Sequence, residues 1–166
     1  MNLIGRLSKS IILCLVNGIL SGTHFYGIKR FLLNKCGFII QEGARVVGPL
    51  FCTAKLSVGK NSFIGREFKA YGNGSVSIGN NCDIAPDVAI LTGSHEIADS
   101  NRRAGEGKRF KVVIEDGCWI GARSTISGDI IIKRGSVIGC CSVVLKDVES
   151  NTLVAGNPAK EKRKLD

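Results

Sequence analysis

Two histidines stand in this chain of 166 residues, His24 and His95, and the second lies in a stretch unlike its surroundings. Residues 93–110 read GSHEIADSNRRAGEGKRF, which is polar, basic and spotted with glycine. A neutral imidazole takes up a proton near pH 7 and passes it on, so a histidine on such a loop is a candidate general base. Polar loops on rigid scaffolds are where binding and catalytic groups concentrate. Arg102, Arg103 and Lys108 nearby either keep the loop soluble or draw an anionic ligand toward it. His24 falls in a segment that reads as helical, where a surface or packing role suffices. The seven cysteines (Cys14, Cys36, Cys52, Cys82, Cys118, Cys140 and Cys141) form no C-x-x-C pair and are odd in number. That argues against a zinc site and against a disulfide framework, and two histidines are too few for a three-histidine zinc centre. No metal is expected.

The elements that must position His95 are written as a beat of six. Ile40, Val46, Cys52, Val58, Ile64 and Ala70 are in phase; after a slip of two residues come Ile78, Ile84 and Ile90. After a long interruption follow Ile114, Ile120, Ile126, Ile132, Ile138 and Val144. A period of six is neither helical nor simple alternation, and it asks for a unit of six residues in which one side chain always points inward. Two residues before each beat the side chains are mostly small, as at Ser62, Cys82, Cys118 and Ser136. One residue after it glycine recurs, at 59, 65, 79, 121 and 139. Three after it stand Asn61, Asn81, Asp87, Gly117, Asp129, Gly135 and Asp147, types that suit turns and left-handed backbone. Each six is therefore a short strand plus a corner. Three of them close a triangular coil, and the fifteen beats make about five coils stacked through parallel hydrogen bonds. Cys52, Cys82 and Cys118 read as small packing residues of this prism. From Ile90 to Ile114 is 24 residues, four hexads with three beats missing between them, after which the phase resumes. The His95 stretch is thus a loop, residues 92–112, thrown out from a corner of a continuing coil.

Several segments carry a resemblance. SVGKNSFIG, SIGNNCDIAPDV, CWIGARSTISGDIIIKRGSVIGCCSVVLKDV and VAGNPAK, across residues 40–163, resemble the hexapeptide-repeat acyltransferases. The match is to the sugar O-acetyltransferase branch, with its maltose, galactoside and nodulation-factor enzymes and its capsule and O-antigen modifiers. The resemblance implies an all-β chain wound as a left-handed parallel β-helix; the hand comes from the family, against the usual right-handed crossover. It implies a homotrimer with active sites between subunits, acetyl-CoA as donor and a sugar or glycan as acceptor. His95 matches the family's catalytic base. Ala122, Cys140, Leu145 and Lys146 match positions along the pantetheine arm, and Lys160 and Arg163 match basic positions near the nucleotide. Where galactoside-type enzymes offer the acceptor an asparagine, this chain has Arg66 and Glu67 as candidates, with Arg102 on the loop. Glu96 replaces a common proline and either orients the imidazole, binds acceptor or does neither. Trp119 is read as packing at an interface or wall.

The remaining organisation follows. Residues 1–37 form an N-terminal helical segment, residues 38–150 the β-helix with its inserted loop, and residues 151–166 a tail redirected by Pro158. Within the first segment IILCLVNGIL is too short to span a membrane. It packs on the body as one helix or two, lies on an anionic lipid surface with Lys9, Lys29, Arg30 and Lys35 outward, or is a cleaved or membrane-spanning segment, though no convincing small-x-small cleavage site follows it. The net charge of +9 suits an anionic partner, yet aromatics at 6% argue against a base-stacking nucleic-acid surface. Free thiols fit a reducing cytoplasm, including the inner face of its membrane. The function expected is an acetyl-CoA-dependent sugar O-acetyltransferase of surface polysaccharide synthesis. The alternatives are N-acyl transfer to a nucleotide-linked amino sugar, serine O-acetylation, or a β-helix that only binds or scaffolds.

Overall fold

The computed structural model describes residues 3–166, with side chains described from residue 10 onward. Two helices come first, α1 (Leu3–Asn17) and α2 (Tyr26–Lys35). The first coil is β1 (Ile39–Ile40), β2 (Arg45–Val46) and β3 (Leu50–Cys52). The second is β4 (Lys55–Val58), β5 (Phe63–Ile64) and β6 (Phe68–Tyr71), and the third β7 (Ser75–Ile78), β8 (Asp83–Ile84) and β9 (Ala89–Leu91). The insertion is a hairpin, β10 (Gly93–Ile97) and β11 (Ala104–Arg109). The fourth coil is β12 (Lys111–Ile114), β13 (Trp119–Ile120) and β14 (Thr125–Ser127), the fifth β15 (Ile130–Ile132), β16 (Val137–Ile138) and β17 (Val143–Val144). A sixth begins with the Ile132–Val148 bridge and β18 (Thr152–Ala155), before β19 (Lys160–Lys164) turns back antiparallel on β18. The solenoid thus has five complete coils and a partial sixth, and residues 152–155 continue the prism before the tail departs.

Three parallel faces result. The first face is β1-β4-β7-β12-β15, the second β2-β5-β8-β13-β16-β18 with β19 on its edge, and the third β3-β6-β9-β14-β17. The beat residues fill the interior: of the fifteen, all but Cys52 are buried, and Val154 supplies one more in the sixth coil. Each such isoleucine contributes about 2–3 kcal/mol by leaving water. The serines of the inward column two before the beat are buried and hydrogen-bonded. Ser62 donates its Oγ proton to Gly79 O at 2.7 Å and accepts from Cys82 N–H at 2.9 Å, so it ties one coil to the next. Ser124 and Ser136 donate likewise, to Gly139 O and Glu149 O.

The corner residues divide into two mechanisms. The glycines one past the beat have no positive φ; they make room. A Cβ at Gly59 would lie 2.5 Å from Gly79 backbone, and one at Gly121 would lie 2.6 Å from Cys140 N. Coils about 4.8 Å apart leave nothing for a methyl group there. Three past the beat, at two of the three corners, the backbone is left-handed: Asn61, Glu67, Asn81, Asp87, Gly117, Arg123, Gly135 and Cys141 all have φ between 53° and 71°. The third corner differs. Asp129 and Asp147 do not turn left-handed; their carboxylates accept the N–H of Lys111 and Ile131 at 2.7 and 2.8 Å.

The helices close the open end of the prism. Asn17 uses both ends of its amide on Leu50, N–H to Oδ1 at 2.9 Å and Nδ2 to O at 3.0 Å. Asn34 does the same to Ile40 at 2.7 and 3.1 Å. Two side chains thereby occupy backbone groups that a further coil would have paired. Lys29, expected to face outward, is fully buried: Nζ donates to Gly22 O at 2.6 Å and lies 4.6 Å from the Tyr26 ring centroid. Burial lowers its pKa.

Candidate functional site

The hairpin that carries His95 is rooted in the slip between Ala70 and Ile78. Thr92 is fully buried, takes the N–H of Gly74 on its Oγ1 at 3.2 Å, and donates that hydroxyl to Tyr71 O at 2.9 Å. Its N–H also donates to Tyr71 O, and Phe110 closes the root with N–H to Thr92 O at 2.9 Å and O to Ser75 N–H at 3.1 Å. Gly72 (φ 111°) and Gly74 let the two segments touch: a Cβ at 74 would lie 2.0 Å from Phe110 O. The two extra residues of the second-to-third coil are therefore the seat of the hairpin one coil later.

Along the ribbon Gly93 faces Arg109, Ser94 faces Lys108 and His95 faces Gly107. Alternation puts His95 on one side with Arg109, and Ser94, Glu96 and Lys108 on the other. Glu96 Oε1 is 2.6 Å from Lys108 Nζ, so its carboxylate is held by that ammonium. Opposite His95 there is no side chain, and a Cβ at Gly107 would meet nothing within 4 Å. The imidazole is exposed at the rim of a cavity of about 400 Å³ shared with Tyr71, Asn73, Leu91 and Lys108. Asn73 also borders a neighbouring cleft of about 290 Å³ where Lys55, Arg109 and Lys111 converge with Asp129.

The other candidates distribute over two edges. Arg66 and Glu67, then Ala122, then Cys140 stack along the corner between the second and third faces. Their order is fixed by a ladder in which Asp87 N–H reaches Arg66 O at 2.8 Å, Arg123 N–H reaches Pro86 O at 3.1 Å and Cys141 N–H reaches Ala122 O at 2.9 Å. Lys160 lies opposite Ala155, whose Cβ is 2.8 Å from the place a Cβ on Gly139 would take, so it joins the top of this edge. Arg163 lies opposite Leu153 on the same added strand. His95, Glu96 and Arg102 rise from the corner between the third and first faces, and Leu145 and Lys146 sit on that corner two coils further on. A single chain does not bring His95 to Ala122 and Cys140. A third group was not singled out as a site by sequence. Phe63, Asp83 and Trp119 are consecutive rungs of the second face and border a cavity of about 340 Å³, with Trp119 56% exposed. Their signal was the outward position one residue before the beat, which hydrophobic phase alone does not distinguish from packing.

Comparison with known proteins adds four findings. The family model described as bacterial transferase hexapeptide (six repeats) matches residues 111–146. Galactoside O-acetyltransferase of Escherichia coli (strain K12) is 34% identical over 143 residues, covering 82% of this chain and 68% of that protein. From the same organism, the acetyltransferase WcaF, whose name places it in colanic acid biosynthesis, is 29% identical over 140 residues, 81% of this chain and 73% of its own. Among solved structures, the hexapeptide-repeat acetyltransferase VCA0836 of Vibrio cholerae in complex with acetyl-CoA superposes with a TM-score of 0.82 at 27% identity, covering 98% of this chain and 88% of that one.

Proposed function

The chain belongs to the hexapeptide-repeat acetyltransferases, and from that premise we propose that it moves the acetyl group of acetyl-CoA to a sugar hydroxyl in the synthesis of a surface polysaccharide. The observation that carries this reading is the seating of His95: one imidazole, on a hairpin fixed by buried hydrogen bonds, at the rim of a cavity large enough for a sugar ring. Neutral His95 takes the proton of the acceptor hydroxyl as its oxygen attacks the thioester carbonyl. The C–O bond forms, the C–S bond breaks, and the proton passes from the imidazole to the departing thiolate. The related galactoside enzyme supports a sugar acceptor, the related structure with acetyl-CoA supports the donor, and the relative WcaF supports a place in polysaccharide synthesis. The cations Lys55, Arg109 and Lys111 beside the His95 cavity favour an acceptor that bears negative charge.

The working unit in this reading is a homotrimer. The edge with Ala122, Cys140 and Lys160 receives the pantetheine arm and nucleotide, and the hairpin of a neighbouring copy presents His95 to the thioester. The rungs Phe63, Asp83 and Trp119 offer two aromatic faces flanking a carboxylate, an arrangement suited to a sugar ring and its hydroxyls. The test is release of coenzyme A thiol against a panel of sugars, nucleotide sugars and charged glycans, with mass spectrometry of the product. His95→Ala is expected to lower turnover by about 10²-fold or more while the thermal transition stays unchanged. Turnover near wild type in that variant would remove His95 as the base.

A further inference from the structure

We propose that the outward faces of α1 and α2, with the turn between them, form a docking surface for an anionic lipid bilayer. The inner faces are spent on the prism, through Val16 and Leu33, fully buried, with Ile12, Leu13 and Leu32 packed against the core. The outer faces are not polar. Ile11, Leu15 and Ile19 recur every four residues, and Phe25, Ile28 and Phe31 every three. Ile19 is 86% exposed, Phe25 61% and Phe31 60%. Phe25 is held out on a left-handed backbone, φ 57°, which a bulky side chain rarely adopts. Scattered exposed apolar residues are ordinary, but six within residues 11–31 are not.

Charge names the occupant. Apart from the buried Lys29, the charged residues of positions 1–41 are Arg6, Lys9, Arg30 and Lys35, with no aspartate or glutamate, the first acidic residue being Glu42. A surface without a single carboxylate repels a second copy of itself and attracts anionic headgroups. Lys35 sits at the end of the apolar row of α2, its Nζ 5.4 Å from the Phe31 ring centroid, an apolar body tipped by a cation. Among the described residues no helix is long and apolar enough to cross a membrane, so the pair lies in the interface rather than through it. The surface is at the first coil, the far end of the prism from the basic tail, and leaves the His95 hairpin free.

The test is sedimentation of the full chain with vesicles of phosphatidylglycerol and phosphatidylcholine, against vesicles of phosphatidylcholine alone. Binding is expected to the mixed vesicles and about tenfold or more weaker to the neutral ones, and to fall as salt rises. Ile19→Ser with Phe31→Ser is expected to lower binding to the mixed vesicles by about tenfold or more, with the thermal transition unchanged. Arg30→Gln with Lys35→Gln leaves the apolar rows intact and is expected to remove the preference for anionic lipid. Wild-type protein that stays in the supernatant, or charge variants that bind as well as wild type, overturns the proposal. So does a change of subunit number in the Ser variant, which would assign the face to a contact between copies. The measurement needs no turnover, so it stands whatever the acceptor is.

Discussion

The six-residue beat accounts for the thiols inside the prism as well as for its isoleucines. Cys82 and Cys118 take the place that Ser62 and Ser136 take in neighbouring coils, each with Sγ near a carbonyl of the next: Glu115 O at 3.1 Å and Lys133 O at 3.2 Å. Burial pushes both thiol pKa values up, Cys118 to about 11. Thiolate, not thiol, reacts with alkylating agents, so both are expected to stay inert at pH 8 while Cys14, Cys140 and Cys141, all exposed, react. Mass spectrometry of iodoacetamide-treated native protein checks this; early labelling of Cys118 would contradict its burial. The same shift sets a sign for stability. A thiol with a raised folded pKa holds its proton longer in the folded than in the unfolded chain, so its contribution is full below the unfolded value of 9.0 and is lost as pH rises toward about 11. Denaturation midpoints are therefore expected to fall across that interval, and less so in Cys118→Ser. These packing roles were legible from the columns. The division of corner residues was not: glycine one past the beat and asparagine three past it look alike as turn formers, yet the first answers to the distance between coils and the second to backbone handedness.

At the scale of elements, the slip and the insertion are one device. In the sequence they are separate irregularities, two extra residues after Ala70 and eighteen after Ile90, and nothing in the beat relates them. In three dimensions Gly72–Gly74 lie directly under Thr92 and Phe110, because residues about one coil apart in sequence are stacked. The insertion was legible as a loop from its polarity. That it is an antiparallel ribbon was not, because GSHEI and AGEGKR lack the β-branched alternation that marks strands. Its pairing is imposed by the anchored root rather than by propensity. Gly74→Ala should therefore damage activity out of proportion to stability. Its methyl group would collide with Phe110 O, and the hairpin root must shift while the coils stay stacked. A displacement on the order of 1 Å at His95 is enough to lower kcat by about 10²-fold. Steady-state kinetics beside a denaturation curve reads both, and a variant with wild-type kcat would show that the root does not position the imidazole.

For the whole molecule, His95, Ala122 and Cys140 were visible one by one, as Phe63 and Asp83 were not, but which edge of the prism each occupies depends on counting corners through the slip and the insertion. Once counted, His95 and the pair Ala122–Cys140 fall on different edges, with the third face between them. In the proposed trimer each site then draws its base from one copy and its donor groove from another. This arrangement has a consequence that an active site within one chain lacks. His95→Ala removes the base and leaves the groove; Cys140→Trp fills the groove, where Cys140 is exposed, and leaves the base. Each variant alone is expected to be inactive. Unfolded or dissociated together and reassembled in equal amounts, random pairing makes one interface in four wholly wild type, so roughly a quarter of the wild-type rate should return. Restored thiol release in the mixture, with none in either parent treated the same way, assigns the two halves to different copies. A mixture that contains both variants in the same trimers by native mass spectrometry and still releases no thiol would place base and groove in one chain, against the geometry of the edges.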